Sequence, residues 1–257
     1  MSLDRKSFLR ITGLSLVALA AKKSMGAFIR AGSNQPASPP GVLAARRWAM
    51  VVDARKCLKK ERCDLCIKAC NRSHNVPEIS DRRHEVKWIW KEPFEDAFVS
   101  EKSEYANAMF QEKPFVVLCN HCDRPPCVRV CPTQATWKRD DGIVMMDWHR
   151  CIGCRYCMAA CPYGSRSFNW VDPRPYVKNL TAAFPTCTIG VVEKCTFCAE
   201  RLAQGRLPAC VEACEPKALV FGDIEDPASA VREALRSNFA IRRKTELGTA
   251  PQVYYIV

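Results

Sequence analysis

The sequence predicts an α+β fold, loop-rich and divided into two small modules. Three observations carry that expectation. Sixteen of the 17 cysteines fall into four groups of four, short strand-like segments flank the groups, and the pieces around them read as one-turn helices and loops. With 257 residues, 48% hydrophobic and 26% charged, the composition is ordinary for a globular chain and excludes a disordered or fibrous protein.

The cysteine groups come first because their spacing is chemical. Group one is Cys57-x5-Cys63-x2-Cys66-x3-Cys70, and group two is Cys119-x2-Cys122-x4-Cys127-x3-Cys131-Pro132. Group three is Cys151-x2-Cys154-x2-Cys157-x3-Cys161-Pro162, and group four is Cys195-x2-Cys198-x11-Cys210-x3-Cys214. Group three has the spacing by which bacterial ferredoxins ligate [4Fe–4S] clusters, and the other groups keep its ending while stretching one internal gap. Three close thiolates on a tight loop can wrap three corners of one cubane, and Gly153 permits close backbone approach there. The third and fourth cysteines are i and i+4, as in Cys157 and Cys161, so on a helix they share a face one turn apart. The fourth thiol then points past its own cluster toward a second one. Each group needs a mate, and four groups make two mated pairs.

Rival uses of the cysteines fit less well. Zinc sites take separated Cys-x2-Cys pairs and have no need of the repeated ending. Disulfide scaffolds belong to much shorter chains, and an odd number of cysteines cannot all pair. Covalent haem requires His directly after Cys-x-x-Cys, where this chain has Ile67, Asp123, Met158 and Ala199.

The repeat extends to the flanks. Val51-Val52-Asp53-x2-Lys56-Cys57 parallels Val144-Met145-Met146-Asp147-x2-Arg150-Cys151. Ala135-Thr136-Trp137, Ser165-Arg166-Ser167-Phe168 and Ala218-Leu219-Val220-Phe221 read as short strands after fourth cysteines, and Asp140-Asp141-Gly142 as a hairpin turn between 134–138 and 143–147. Trp137, Trp148, Phe168 and Trp170 read as packing around the clusters. A strand is expected around 85–90, a helix near 101–111, and a helix capped by Asp226-Pro227 and running to Ser237.

A formal charge of +12 points at first sight to an anionic partner such as nucleic acid. Residues 1–30 hold six Lys/Arg and one Asp, leaving 33 basic against 26 acidic residues, or +7. Four oxidised clusters with their thiolates bring about −8, so the loaded remainder is near neutral and nucleic-acid binding loses its support.

The four groups in this order resemble the four-cluster ferredoxin-type subunits of the dimethyl sulfoxide reductase beta-subunit superfamily, over residues 48–257. The resemblance implies two bacterial-ferredoxin-like modules, one inserted in the other, each holding two [4Fe–4S] clusters. It divides the chain into 48–114, an inserted module over 115–170, and 171–257. It also implies the ligand sets: Cys57, Cys63 and Cys66 with Cys214; Cys195, Cys198 and Cys210 with Cys70; Cys119, Cys122 and Cys127 with Cys161; Cys151, Cys154 and Cys157 with Cys131. Within the superfamily, the Cys57-x5-Cys63 gap, Asn75-Val76-Pro77, Glu85-Val86-Lys87-Trp88-Ile89-Trp90 and Leu247-Gly248-Thr249-x-Pro251-x-Val253-Tyr254-Tyr255-Ile256 are most similar to the exported iron–sulfur subunit of the Dsr transmembrane complex. That similarity implies a quinone-interacting polytopic membrane subunit and a multihaem cytochrome c as partners, in dissimilatory sulfur metabolism. The alternative is an electron-transfer partner of a molybdopterin oxidoreductase or hydrogenase.

No nucleophile–base arrangement, phosphate loop or substrate-pocket motif occurs in the sequence, so electron transfer without a catalytic site of its own is expected. Cys187 stands outside the groups, as a buried free thiol or as a reactive or ligating one. His74 and His121 read as hydrogen-bond partners of the cluster loops. Lys59, Lys60 and Arg62 make either a solvated loop or a docking surface for a partner.

The chain opens with Arg5, Lys6 and Arg10, then an apolar run from Ile11 to Ala21, then Lys22 and Lys23. A spanning helix needs about 20 apolar residues, so this run fits an export signal instead. Asp4-Arg5-Lys6-Ser7-Phe8-Leu9-Arg10 resembles a twin-arginine signal with Lys6 at the second arginine. Residues 31–47, rich in Pro, Ser and Gly, read as a linker. Twin-arginine export carries folded proteins, which would bring sixteen thiolates into an oxidising compartment already bound to iron. The expected location is the periplasmic, or exoplasmic, face of the cytoplasmic membrane. Replacing Arg5→Ala together with Lys6→Ala should leave the cluster-loaded protein in the cytoplasm, as fractionation and immunoblotting would show; unchanged export would contradict the signal reading.

Overall fold

The computed structural model describes residues 42–60, 63–101 and 113–257. The expected export segment 1–30, most of the linker, Arg62 and nearly all of the helix expected near 101–111 lie outside them.

Strand β1 (Trp48–Asp53) is the centre of the largest sheet and is buried at every position. Its alternate residues serve two cores, as a pleated strand with two covered faces requires. Trp48, Met50 and Val52 face the main core, while Ala49 and Val51 meet Val231 and Ile256. Val231 comes from the helix Ala230–Ser237, capped by the Ser229 side chain, which accepts from the Arg232 N–H at 3.2 Å. The expected Asp226 cap does not form, because its carboxylate already closes a turn onto the Ala228 N–H.

After β1, the helices Ala54–Lys59 and Leu65–His74 carry group one. The second helix buries Cys66, Cys70 and His74, spaced one turn apart on a single face. Asn75 ends it in the left-handed conformation (φ 52°), and its side-chain amide donates to the carbonyls of Thr181 and Phe184. Strand β2 (Ile89–Glu92) begins later than expected because its antiparallel partner β3 (Phe115–Leu118) ends opposite Ile89, where group two begins.

The hairpin expected around Gly142 forms from β4 (Thr136–Lys138) and β5 (Val144–Met146). Only one of its faces is covered, so Thr136 is buried while Trp137 is exposed. β6 (Ser167–Phe168) pairs with β7 (Val192–Glu193), and Trp170, just beyond, also faces outward. Trp148 and Phe168 pack inward as expected, against the smaller core over groups two and three. β8 (Leu219–Asp223), β9 (Ala240–Ile241) and β10 (Val253–Ile256) complete the large sheet in the order β8-β1-β10-β9. β10 runs parallel to β1 with Val253 opposite Met50, and β8 runs antiparallel with Leu219 opposite Val52.

The result is a small, mixed α/β, loop-rich unit in which short sheets frame the cysteine loops. Among the described residues no helix is long and apolar enough to cross a membrane.

Two loops touch at a point where only glycine fits. Gly153 has φ +68°, and a Cβ there would lie 2.4 Å from the Gly190 carbonyl oxygen. Gly164 has φ +62° with nothing within 4 Å of its Cβ position. A left-handed residue costs about 1–2 kcal/mol by conformation alone, so Gly164→Ala should lower the thermal midpoint by roughly 2–8 °C. Gly153→Ala, which adds a backbone collision, should lower it at least twice as far, as thermal melts of the two variants would show.

Candidate metal centres

Four quartets of thiols gather in space, each joining three cysteines of one group to the fourth of another. Cys119, Cys122, Cys127 and Cys161 line one small cavity. Cys131, Cys151, Cys154 and Cys157 line a second. The other eight thiols reveal their neighbours through mutual electrostatics: Cys57, Cys214 and Cys63 act on Cys66, while Cys195, Cys198 and Cys210 act most strongly on Cys70. The four sets are named in spatial order: first (57, 63, 66, 214), second (70, 195, 198, 210), third (119, 122, 127, 161) and fourth (131, 151, 154, 157).

That order follows from the joints between quartets. Cys66 and Cys70 share one helix, tying the first to the second. Cys119 acts on Cys195 across the second and third, where the rings of His121 and Phe197 stack at 3.7 Å. Cys127 acts on Cys157 across the third and fourth.

The local sequence builds three of the four loops by the same device. Two residues after the first cysteine the backbone is left-handed in groups two, three and four: His121 (φ 41°), Gly153 (φ 68°) and Phe197 (φ 52°). Three residues after the fourth cysteine it is left-handed again, at Gln134, Gly164 and Lys217. Between them sits a single helical turn carrying the third cysteine: Pro126–Arg129, Tyr156–Ala159 and Ala209–Glu212. The second reversal turns the following N–H back toward sulfur, as in Ala218 N–H to Cys214 Sγ at 3.2 Å. Similar bonds run from Phe197 N–H to Cys195 and from Ala209 N–H to Cys198, both at 3.4 Å. Bulky residues are uncommon in this conformation, so its recurrence at His121 and Phe197 marks a site that imposes it.

Burial pushes Cys66, Cys122 and Cys195 up to about 12, and neighbouring thiols add to the rise. Cys70 and Cys210 rise for the same reasons. Four thiols that raise one another can all ionise only around concentrated positive charge, which iron–sulfur cores supply when bound. Three buried polar groups beside the cysteines, Asn120, His121 Nε2 and Thr196 Oγ1, have no protein partner, which suits loops that wrap a polar inorganic group. The donor set, soft sulfur throughout, fits the same group.

Two cations are buried among the thiols. Arg166 donates to Thr136 Oγ1 at 2.8 Å; burial opposes its charge, but Cys127, Cys157 and Cys119 outweigh it and raise its pKa. Lys194 Nζ donates to the carbonyls of Cys195, at 2.5 Å, and Val144. His74 places its two ring nitrogens 3.0 Å from the Cys70 carbonyl and from the Glu200 carboxylate, and stacks on Trp88. Its proximity to Cys198 and Glu200 makes a three-residue cluster, but both nitrogens already face acceptors. His121 takes the Val144 N–H on Nδ1 at 3.1 Å. Lys60 pairs with Glu215 at the surface. Cys187 is buried outside the quartets, bonded to Glu193, which also accepts from Trp88 at 2.9 Å.

A family profile described as a 4Fe-4S dicluster domain matches residues 112–174 and 174–224. Iron–sulfur subunit 1 of the Hdr-like menaquinol oxidoreductase of Archaeoglobus fulgidus is 41% identical, over 98% of this chain and 97% of its own length. The chain belongs to this family of 4Fe-4S iron–sulfur subunits. The iron–sulfur cluster-binding subunit of menaquinone reductase from Nitratidesulfovibrio vulgaris is similar at 37% identity, over 82% of this chain and 88% of its own. A tetrathionate reductase subunit of Salmonella typhimurium is also 37% identical, over 95% and 82%.

Spacing alone does not disclose Lys194, Arg166 or Glu193. A signal exists: charged residues written into strand-like segments beside a cysteine, as in Val191-Val192-Glu193-Lys194-Cys195. Cys70 lies among the thiols of the second quartet although it belongs to group one. Cys70→Ser should therefore perturb the cluster held by Cys195, Cys198 and Cys210, with one altered electron-paramagnetic-resonance signal and three unchanged. Perturbation of the Cys57, Cys63 and Cys66 cluster instead would contradict crossed ligation.

Proposed function

We propose that the four quartets bind four [4Fe–4S] clusters through the sixteen group cysteines, and that the chain relays electrons between a quinone-interacting membrane subunit and a multihaem cytochrome c. The observation that carries this reading is the row of four quartets: its ends are far apart in the series while each neighbouring pair shares a helix, a stacked ring pair or a buried cation. When bound, the clusters supply one-electron carriers. The chain's own residues hold them at fixed spacing, exclude water from them and bias their charge. Relatives that are subunits of menaquinol oxidoreductase and menaquinone reductase support the quinone side.

The module arrangement follows the same reading. Asp53 N–H bonds to the Ala218 carbonyl and Asp147 N–H to the Ala135 carbonyl, at 2.8 and 2.7 Å. Ala218 and Ala135 each stand four residues beyond a fourth cysteine, so β1 with β8 and β5 with β4 are equivalent pairs. This supports an outer module, from groups one and four, interrupted by an inner one from groups two and three. The proposed location is the periplasmic face, with sulfur metabolism as the setting. A second reading, a subunit feeding a terminal reductase, draws support from the tetrathionate reductase relative.

The test is isolation of the complex from native membranes, with identification of its subunits and iron analysis. The expected outcome is about sixteen iron atoms per chain, together with a multispan subunit and a c-type cytochrome. A reductase catalytic subunit in place of the cytochrome would favour the second reading, and a chain carrying zinc without iron would defeat both.

A further inference from the structure

Where the second and third quartets approach, Asn120, His121, Lys194 and Thr196 are all buried. Lys194 is the one with a formal charge, and it is 1% exposed. Among the described residues, buried Lys and Arg side chains are Lys194, Arg166 and Arg243. Arg243 is paired with Glu92 at 2.7 Å. Lys194 instead bonds two backbone carbonyls, of Cys195 in the second quartet and of Val144 in the wall of the third cavity. Burial and the nearby Arg166 lower the pKa of its ammonium group, while Cys119, Cys195 and Cys127, thiols of both quartets, act to hold its proton. A buried ammonium without a carboxylate is costly unless other negative charge compensates it, and two quartets of thiolates with their clusters are the negative charge within reach.

We propose that Lys194 is a positioning residue for electron transfer: its fixed positive charge favours the reduced forms of the clusters in the second and third quartets together, raising both potentials at the step between the two modules. This rests on the reading that the quartets bind [4Fe–4S] clusters. Reduction adds one negative charge to a cluster, and a cation fixed nearby in a dry interior stabilises that charge more than water would. Because the ammonium bridges the walls of both sites, it acts on two potentials at once. Arg166, felt by Cys127 and Cys157, stands at the next joint along. The first joint is made by the helix carrying Cys66 and Cys70.

The experiment compares the intact complex with Lys194→Met, which removes charge at similar size, and Lys194→Arg, which retains it. Iron content and redox titration followed by electron paramagnetic resonance are the readouts. Wild type with about sixteen iron atoms per chain upholds the cluster reading; fewer would defeat that reading independently of Lys194. In Lys194→Met the reduced-to-oxidised ratio of two clusters, read at their wild-type midpoints, should fall at least tenfold, about 59 mV for a one-electron couple. Lys194→Arg should hold both near wild type. If Lys194→Met instead loses iron, loss confined to the second and third quartets and restored by Lys194→Arg also supports the charge role. Four unchanged potentials in a loaded Lys194→Met protein, or equal damage in both variants, would overturn it.

Discussion

A buried thiolate must be paired with positive charge, and this chain gathers sixteen candidate thiolates in buried or half-buried positions. Three sources of positive potential lie within reach: backbone N–H groups, two interior cations and the metal that the quartets suit. The first source explains the odd backbone. Left-handed residues flank the helical turns of groups two, three and four so that N–H groups converge on sulfur, and those amides are then lost to regular ladders. The sheets stay short for that reason, and breadth is left to the one sheet built around β1.

That sheet does mechanical work for the cysteine loops. β10 adds to β1, and the chain just before it lies against group two: Asp123 N–H bonds to the Ala250 carbonyl and Arg124 N–H to the Thr249 carbonyl. Thr249 also meets the Tyr163 hydroxyl at 2.5 Å. The C-terminal segment thus ties the sheet that carries groups one and four to the loops of groups two and three. The three joints in the row of quartets differ in kind. One is a continuous helix, and the other two are made across the fold by stacked rings and buried cations, so spacing there depends on tertiary packing.

The cysteine spacing made the four groups and the short strands legible, because ligand geometry is local and repeats, whereas the crossed quartets came from the family resemblance. The β4–β5 hairpin was equally plain, since Gly142 supplies a positive φ of 85° between two apolar runs. What stayed hidden depends on distant partners. Trp137 looks like a core residue until the hairpin proves to have a single covered face. Lys194 and Arg166 look like surface charges until both prove to be enclosed by thiols from several groups. Asn75 enters the sequence reading only within Asn75-Val76-Pro77, and its grip on Thr181 and Phe184, more than a hundred positions away, left no local trace.

Seventeen cysteines and sixteen group positions raise the question of how the chain tells its thiols apart. Cys187 lies near enough to Cys151 to feel its charge but does not join the cysteines that line the fourth cavity. The environments also differ. Burial and the adjoining Glu193 carboxylate push Cys187 well above the ordinary thiol range, and its proton is held by that carboxylate. At Cys131, in the same quartet as Cys151, burial also pushes upward, but the N–H groups of Thr136, Thr133 and Ala135 and the Thr133 hydroxyl together bring the thiol below its ordinary value. Metal binding takes the thiolate, not the thiol. Of these two thiols near Cys151, Cys131 therefore ionises more readily, and Cys187 keeps its proton beside the buried carboxylate.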